Sequence, residues 1–370
     1  MLRQKARAMS AALVVVALSL TMGAATSSAA KAPPEFFGVV PQTPLTSGDF
    51  SRMSQGKVGS VRVILNWADI DPTADPGDNN FGSFDSLMTE AANNGVDLLP
   101  FIYGTPEWVA KGLDNRSCSA AKCVTFAPKS DAAIEAWKTF VGEVVDRYGP
   151  NGTFWTDNPS LPKNPLEVYQ ILNEMNSETF FAPKPNAKQY AKLLAAAADA
   201  IRSRDSSAEI VLGGLPELAG SHKAIIGSKY LAQLYKVSGV KDNFDAIAPH
   251  PYGATLGKVS SQVEKYRKVM KQAGDSGADM YITEVGAGSA NGGSSLNRGT
   301  DGQAKLLTEI YKYFIKKRNS FNVQEVDWFS WKDSTVSICD WCKTSGLLKK
   351  NDKAKPSYKA FTKLSGGSTG

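Results

Sequence analysis

Histidine is scarce in this 370-residue chain, which holds only His222 and His250. Two histidines with no H-x-H or H-E-x-x-H pattern give a metal-dependent hydrolase too few ligands. No metal and no cofactor are therefore expected. A serine hydrolase needs a G-x-S-x-G elbow between a strand and a helix, and no such junction carries one. No G-x-G-x-x-G follows the first strand, which counts against a dinucleotide-binding fold. Cysteine is equally sparse: the four residues form two local pairs, Cys118/Cys123 and Cys339/Cys342. In an oxidising compartment such pairs close small disulfide loops, although connectivity does not follow from sequence. Cys339-Asp340-Trp341-Cys342 also has the form of a redox or zinc motif, without the second C-x-x-C or nearby histidine that a zinc site needs.

Long apolar runs are missing beyond the first thirty residues. Within those thirty, Arg3, Lys5 and Arg7 precede the apolar stretch Ala11 to Met22, and small residues follow through Ser27, Ser28, Ala29 and Ala30. Residues 1–30 read as a secretory signal peptide, with an apolar core too short to span a bilayer comfortably. The mature protein is expected to be secreted, extracellular, monomeric and free of the membrane. Losing three basic and no acidic residues lowers the formal charge from +6 to +3. That is too mild to point to nucleic acid.

What the chain does have is rhythm. Strands are expected over 36–40, 58–66, 96–103, 166–172, 209–213, 244–250, 278–284 and 326–331. Helices are expected over 83–94, 187–204, 223–237, 259–273, 303–317 and 356–364. Another, capped by Ser130, carries Ala133, Trp137, Phe140, Val141, Val144 and Tyr148 at helical spacing. The Gly/Ser-rich stretch 286–302 reads as a loop. Strands alternating with helices argue for a parallel sheet. Eight such units in one chain fit a single (β/α)8 TIM barrel, here over residues 31–366, better than an open sheet.

Two of these strands end in a glutamate. Leu166 to Leu172 runs into Asn173, Glu174 and Asn176, and Ala278 to Thr283 runs into Glu284. A charge at the end of a buried strand needs a reason, and two such charges suggest a pair across one pocket. In a barrel of this type the active site lies at the C-terminal strand ends. Those ends also carry Arg62, Asn66, Trp67, Tyr103, Trp108, His250, Tyr252 and Trp331. Aromatic faces stack on sugar rings while amides and carboxylates bond the hydroxyls. Paired carboxylates suit glycoside hydrolysis, in either its retaining or its inverting form. Plainer readings exist: Arg62 as a structural ion pair, His250 as a satisfied strand-end residue, the tryptophans as core, Asn176 as a loop residue.

The ordered succession Asn173-Glu174, His250-Pro251-Tyr252, Glu284 and Trp331 resembles clan A of the glycoside hydrolases, nearest in pattern to families five and thirty-nine. Met175 stands where proline commonly follows the glutamate. The resemblance implies a retaining barrel enzyme with Glu174 as acid/base and Glu284 as nucleophile, cleaving β-linked oligosaccharide or polysaccharide. It also implies sugar-binding positions at Arg62, His250, Tyr252 and Trp331. A carbohydrate-binding barrel that has lost turnover is the alternative, against which both glutamates stand.

Overall fold

Alternation of side chains decides the architecture. In β2 (Ser60–Asn66), Val61, Val63 and Leu65 join the large apolar cluster outside the sheet, while Arg62 between them turns inward. Such a strand is buried on both faces, which a parallel sheet covered by helices requires. The computed structural model describes residues 32–370 apart from 76, 78, 218–222 and 337–338. The expected signal peptide and His222 lie outside the described residues.

β1 (Phe37–Val40), β2, β3 (Asp97–Tyr103), β4 (Val168–Ile171), β5 (Glu209–Pro216), β6 (Ala246–His250), β7 (Asp279–Val285) and β8 (Val323–Phe329) form one closed parallel barrel in sequence order. β1 pairs with both β2 and β8. Each strand is followed by a helix: α1 (Ser47–Gly56), α2 (Gly82–Asn94), α3 (Asp131–Tyr148), α4 (Ala187–Arg202), α5 (Gly227–Leu234), α6 (Leu256–Gln272), α7 (Gly299–Phe321) and α8 (Pro356–Ser365). The architecture is the (β/α)8 barrel expected from the rhythm. Among the described residues no helix is long and apolar enough to cross a membrane.

Local chemistry explains where several elements start. Ser130 Oγ accepts the Ala133 amide at 3.1 Å and caps α3. Thr46 and Asp49 form a reciprocal capping box at α1, a helix the sequence reading did not include. Two other boundaries move. α7 begins at Gly299, inside the stretch read as loop, and α5 begins only at Gly227. Gly366-Gly367-Ser368-Thr369-Gly370 spells G-x-S-x-G, but it trails α8 rather than joining a strand to a helix.

The main core lies between sheet and helices. Inside the barrel the apolar filling shrinks to Leu99, Val211, Ala246, Ala248 and Tyr281, and carboxyls take up part of the remaining space. Glu325 and Asp327 of β8 both approach Gly38: a Cβ there would lie 1.8 Å from Asp327 Oδ1 and 2.9 Å from Glu325 Oε1. Burial and the Glu325 charge push the Asp327 carboxyl well above its usual range, and burial raises Glu325 to about 7, which favours the protonated forms of both. Burial pushes Glu209 at the start of β5 up to about 7, and Tyr281 donates to its Oε2 at 2.7 Å. A cavity of about 850 Å³ opens at this end, lined by Glu35, Ser60, Asp97, Glu167, Tyr281 and Glu325 among others. It lies at the strand starts, opposite the end where the paired glutamates sit.

A carboxyl with a raised folded-state pKa binds more protons folded than unfolded, so its contribution to stability falls as pH rises. For Glu209 that window runs from its ordinary 4.5 to about 7. Glu209→Gln keeps an acceptor for Tyr281 and removes the titration. Melting curves should therefore show the variant gaining on the parent chain between pH 4.5 and 7. A constant difference across that range would rule the account out.

Candidate active site

Arg62 is the hub of the site. It is 1% exposed and uses its planar fork on three partners delivered by two strands, β4 and β7. Nη1 donates to Glu284 Oε1 at 2.8 Å, Nη2 to Asn173 Oδ1 at 2.8 Å, and Nε to Gln170 Oε1 at 2.6 Å. Its guanidinium also lies 4.3 Å from the Phe101 ring centroid. A guanidinium buried this deeply is tolerable only when its donors are satisfied in this way.

Backbone irregularities aim the two glutamates. Ile282 and Val285 of β7 both pack into the outer cluster although they are three residues apart, and the β7/β8 register shifts between them. This bulge turns Thr283 and Glu284 together toward the barrel interior. At β4, Leu172 and Glu174 take left-handed φ values of 63° and 39°, bending the chain over the mouth. Strain of this kind persists only where its surroundings enforce it.

His250 stands between the carboxylates. Its Nδ1 is 3.0 Å from Glu174 Oε1 and 3.6 Å from Glu284 Oε2. Its Nε2 is 2.9 Å from Thr283 Oγ1. One oxygen of each glutamate and a ring nitrogen of His250 all lie within 4.8 Å of one another. These three atoms could approach one cation, but the fixed charge of Arg62 beside Glu284 opposes it. Tyr252 donates its hydroxyl to Glu284 Oε2 at 2.6 Å. Burial pushes the Glu284 carboxyl up, yet the facing Nδ1 of His250, the charge of Arg62 and the bonds from Tyr252 and Arg62 outweigh it. Glu284 is thus held below the usual carboxylate range. The side chains of Glu174 and Glu284 remain 18% and 12% exposed, so both can meet a ligand.

Of the residues expected at the site, Arg62, Asn173, Glu174, His250, Tyr252 and Glu284 converge. Others do not. Trp331 is buried, donates its indole N–H to Asp49 Oδ1 at 2.8 Å and packs against Tyr358, so it is a core residue. The reason is register: β8 ends at Phe329, two residues before Trp331. Trp67 is buried against Trp108, Trp137 and Phe140. Asn176 is buried and ties down a neighbouring loop through Pro216 O and Ile225 O. Asn66 caps a short helical turn and bonds Asp69. Tyr103 is buried against Phe180, and half-buried Trp108 donates to Asp71 O.

The sequence reading missed Gln170, Thr283 and Trp341. Trp341 lies 5.0 Å from the Tyr252 ring and 5.8 Å from Phe329, half-buried beside the Glu284 partner. It sits in the loop closed by the Cys339–Cys342 disulfide. Cys118–Cys123 closes the other loop, tied back to Thr105 just after β3. Both pairings are the local ones expected. Trp341 stood in plain view inside the C-x-x-C motif, where the cysteines drew the attention.

The family profile described as Cellulase (glycosyl hydrolase family 5) matches residues 46–334. A (β/α)8 barrel matched over that span has the fold and the family profile of clan A of the glycosyl hydrolases. The chain belongs to glycosyl hydrolase family 5, the cellulase family. No curated protein matches it. Solved structures share the fold. A family 39 glycoside hydrolase from the gut symbiont Bacteroides cellulosilyticus is 16% identical with a TM-score of 0.60, over 90% of this chain and 64% of that one. A monomeric beta-xylosidase from Caulobacter crescentus is 16% identical with a TM-score of 0.63, over 90% and 69%. An intracellular xylanase from Thermoanaerobacterium saccharolyticum is 15% identical with a TM-score of 0.56, over 88% and 95%. The chain thus spans less than two thirds of the first of these relatives.

Gly214 permits this geometry, because a Cβ on it would lie 2.2 Å from His250 Cε1 and Nε2 and 2.9 Å from Asn173 Oδ1. Gly214→Ala should displace the imidazole and cost on the order of 100-fold in kcat/KM for an aryl glycoside. Unchanged kinetics would show that the position of His250 is not critical.

Proposed function

We propose that the protein is a secreted, retaining glycosidase that cleaves β-linked oligosaccharide or polysaccharide by double displacement. The observation that carries this reading is the close approach of the Glu174 and Glu284 oxygens, within 4.8 Å of each other and of His250. Retaining enzymes keep their carboxyls about 5 Å apart, whereas inverting enzymes leave room for a water between them. The environments divide the roles. Glu284, charged and gripped by Arg62 and Tyr252, is the nucleophile. Glu174, bonded to His250, is the acid/base.

In the first step Glu284 forms a bond to the anomeric carbon as the bond to the leaving oxygen breaks. Glu174 gives its proton to that oxygen. In the second step Glu174 removes a proton from water, the water oxygen attacks the same carbon, and the ester to Glu284 breaks. Two inversions leave the configuration retained. Asn173, whose oxygen is taken by Arg62, offers its amide N–H to a sugar hydroxyl. Trp341, beside Tyr252 and Phe329, is the aromatic platform, in place of Trp331. The β linkage agrees with the names of the xylosidase and of an exo-beta-1,4-mannosidase among the similar folds. Secretion agrees with the two disulfides and with residues 1–30, and the enzyme acts as a monomer.

Azide separates the roles. Glu284→Ala should lose turnover and regain it with azide, giving a product of inverted configuration. Glu174→Ala should still react with substrates bearing very good leaving groups and give a retained azide product. An inverted wild-type product would overturn the double displacement. Trp341→Ala should remove about 1 kcal/mol of ring contact, a roughly fivefold rise in KM with little change in kcat. An unaltered KM would take Trp341 out of the binding site.

A further inference from the structure

Beneath the two glutamates lies a buried chain of polar side chains whose two middle members the reaction scheme does not use. It runs from Arg62 through Gln170 and Thr283 to His250. Gln170, Thr283 and the His250 side chain are all 0% exposed. Polar groups this deep must be bonded, and the bonding pattern fixes which atoms carry hydrogens.

The orientation of Gln170 comes first. Arg62 Nε can only donate, so the Gln170 atom 2.6 Å from it is the amide oxygen. The amide nitrogen then faces Leu212 O at 3.0 Å, an atom that can only accept, and Thr283 Oγ1 at 3.3 Å. Two independent neighbours thus impose the same orientation. Thr283 Oγ1 therefore accepts from Gln170 through one lone pair and can give its own hydrogen to His250 Nε2 at 2.9 Å. On the other side of the ring, Nδ1 faces carboxylate oxygens of Glu174 and Glu284, at 3.0 and 3.6 Å. A carboxylate accepts only, which requires a hydrogen on Nδ1.

We propose that Gln170 and Thr283 are positioning residues that hold His250 as the Nδ1–H tautomer, with Nε2 bare and accepting the Thr283 hydroxyl. The consequence for catalysis rests on the assignment of Glu174 as acid/base. The Nδ1–H bond occupies Glu174 Oε1 and leaves Oε2 to carry the proton exchanged with the leaving group. Relays of this kind fix which ring nitrogen acts, and so the direction in which its partner points. The bulge in β7 is what makes the relay possible, since it brings Thr283 and Glu284 inward together.

The scarcity of histidine makes this directly measurable. In full-length protein labelled with 15N-histidine, long-range proton–nitrogen spectra contain two imidazoles, and a His222→Gln variant assigns them. His250 should show a protonated Nδ1 and a bare Nε2. Thr283→Val keeps the shape and removes the donor. It should disturb that tautomer and slow hydrolysis of poor leaving groups by about tenfold or more, while good leaving groups, which need little acid help, change less. Thr283→Ser should restore both the spectrum and the rates. A protonated Nε2 in the parent protein overturns the proposal, even if Thr283→Val fails to fold. An unchanged tautomer in Thr283→Val also overturns it. A disturbed tautomer with unaltered leaving-group dependence upholds the relay and instead removes Glu174 from the acid/base role.

Discussion

A guanidinium buried at the centre of a barrel is the constraint on which this active site depends. Arg62 is out of water, and removing one partner of a buried charge leaves a penalty of about 3–5 kcal/mol. Its three partners come from β4 and β7, so satisfying it aligns the strand that delivers Asn173 and Glu174 with the strand that delivers Glu284. The same cation keeps Glu284 ionised against the effect of burial. One residue thereby holds the geometry and sets the charge of Glu284.

The barrel interior is unusual in how much of its space is polar. A small cluster around Leu99, Val211 and Tyr281 is the apolar filling, with the buried carboxyls of Glu325 and Asp327 at one level and the Arg62 and Gln170 network at another. Charges of opposite sign thus occupy one low-dielectric interior, where each is felt strongly. Protonation of the Glu325–Asp327 pair removes what would otherwise be uncompensated negative charge. The apolar stability of the molecule comes instead from the layer between sheet and helices.

The two disulfides and the loops they close lie at the strand ends that carry the site. Each spans few residues, so the entropy removed from the unfolded chain is small. Their value is local. One holds Trp341 against Tyr252, the residue that bonds Glu284. A half-buried indole on a short closed loop is a rigid face, and a ligand that stacks on it would order it at little further entropic cost.

The rhythm of strands and helices, the paired strand-end glutamates, the local cysteine pairs and Arg62, His250 and Tyr252 were all legible from the amino-acid sequence. Each is a local pattern: periodicity, a charge where a strand should be apolar, a spacing too short for a distant partner. Four things were not legible, because they depend on residues far apart in the chain. The start of β8 was hidden since Glu325, facing the barrel interior, looks like a loop residue, and the shifted strand made Trp331 look like a platform. The β7 bulge exists only in relation to β8, so nothing in Ile-Thr-Glu-Val says that Thr283 and Glu284 turn inward together. Trp341 became a candidate platform only when its loop folded onto Tyr252, and Gln170 became part of the site only when barrel closure brought Arg62 and Thr283 to its two ends. Local sequence decides which way a residue faces along a regular strand, but pairing register and closure decide what it meets there.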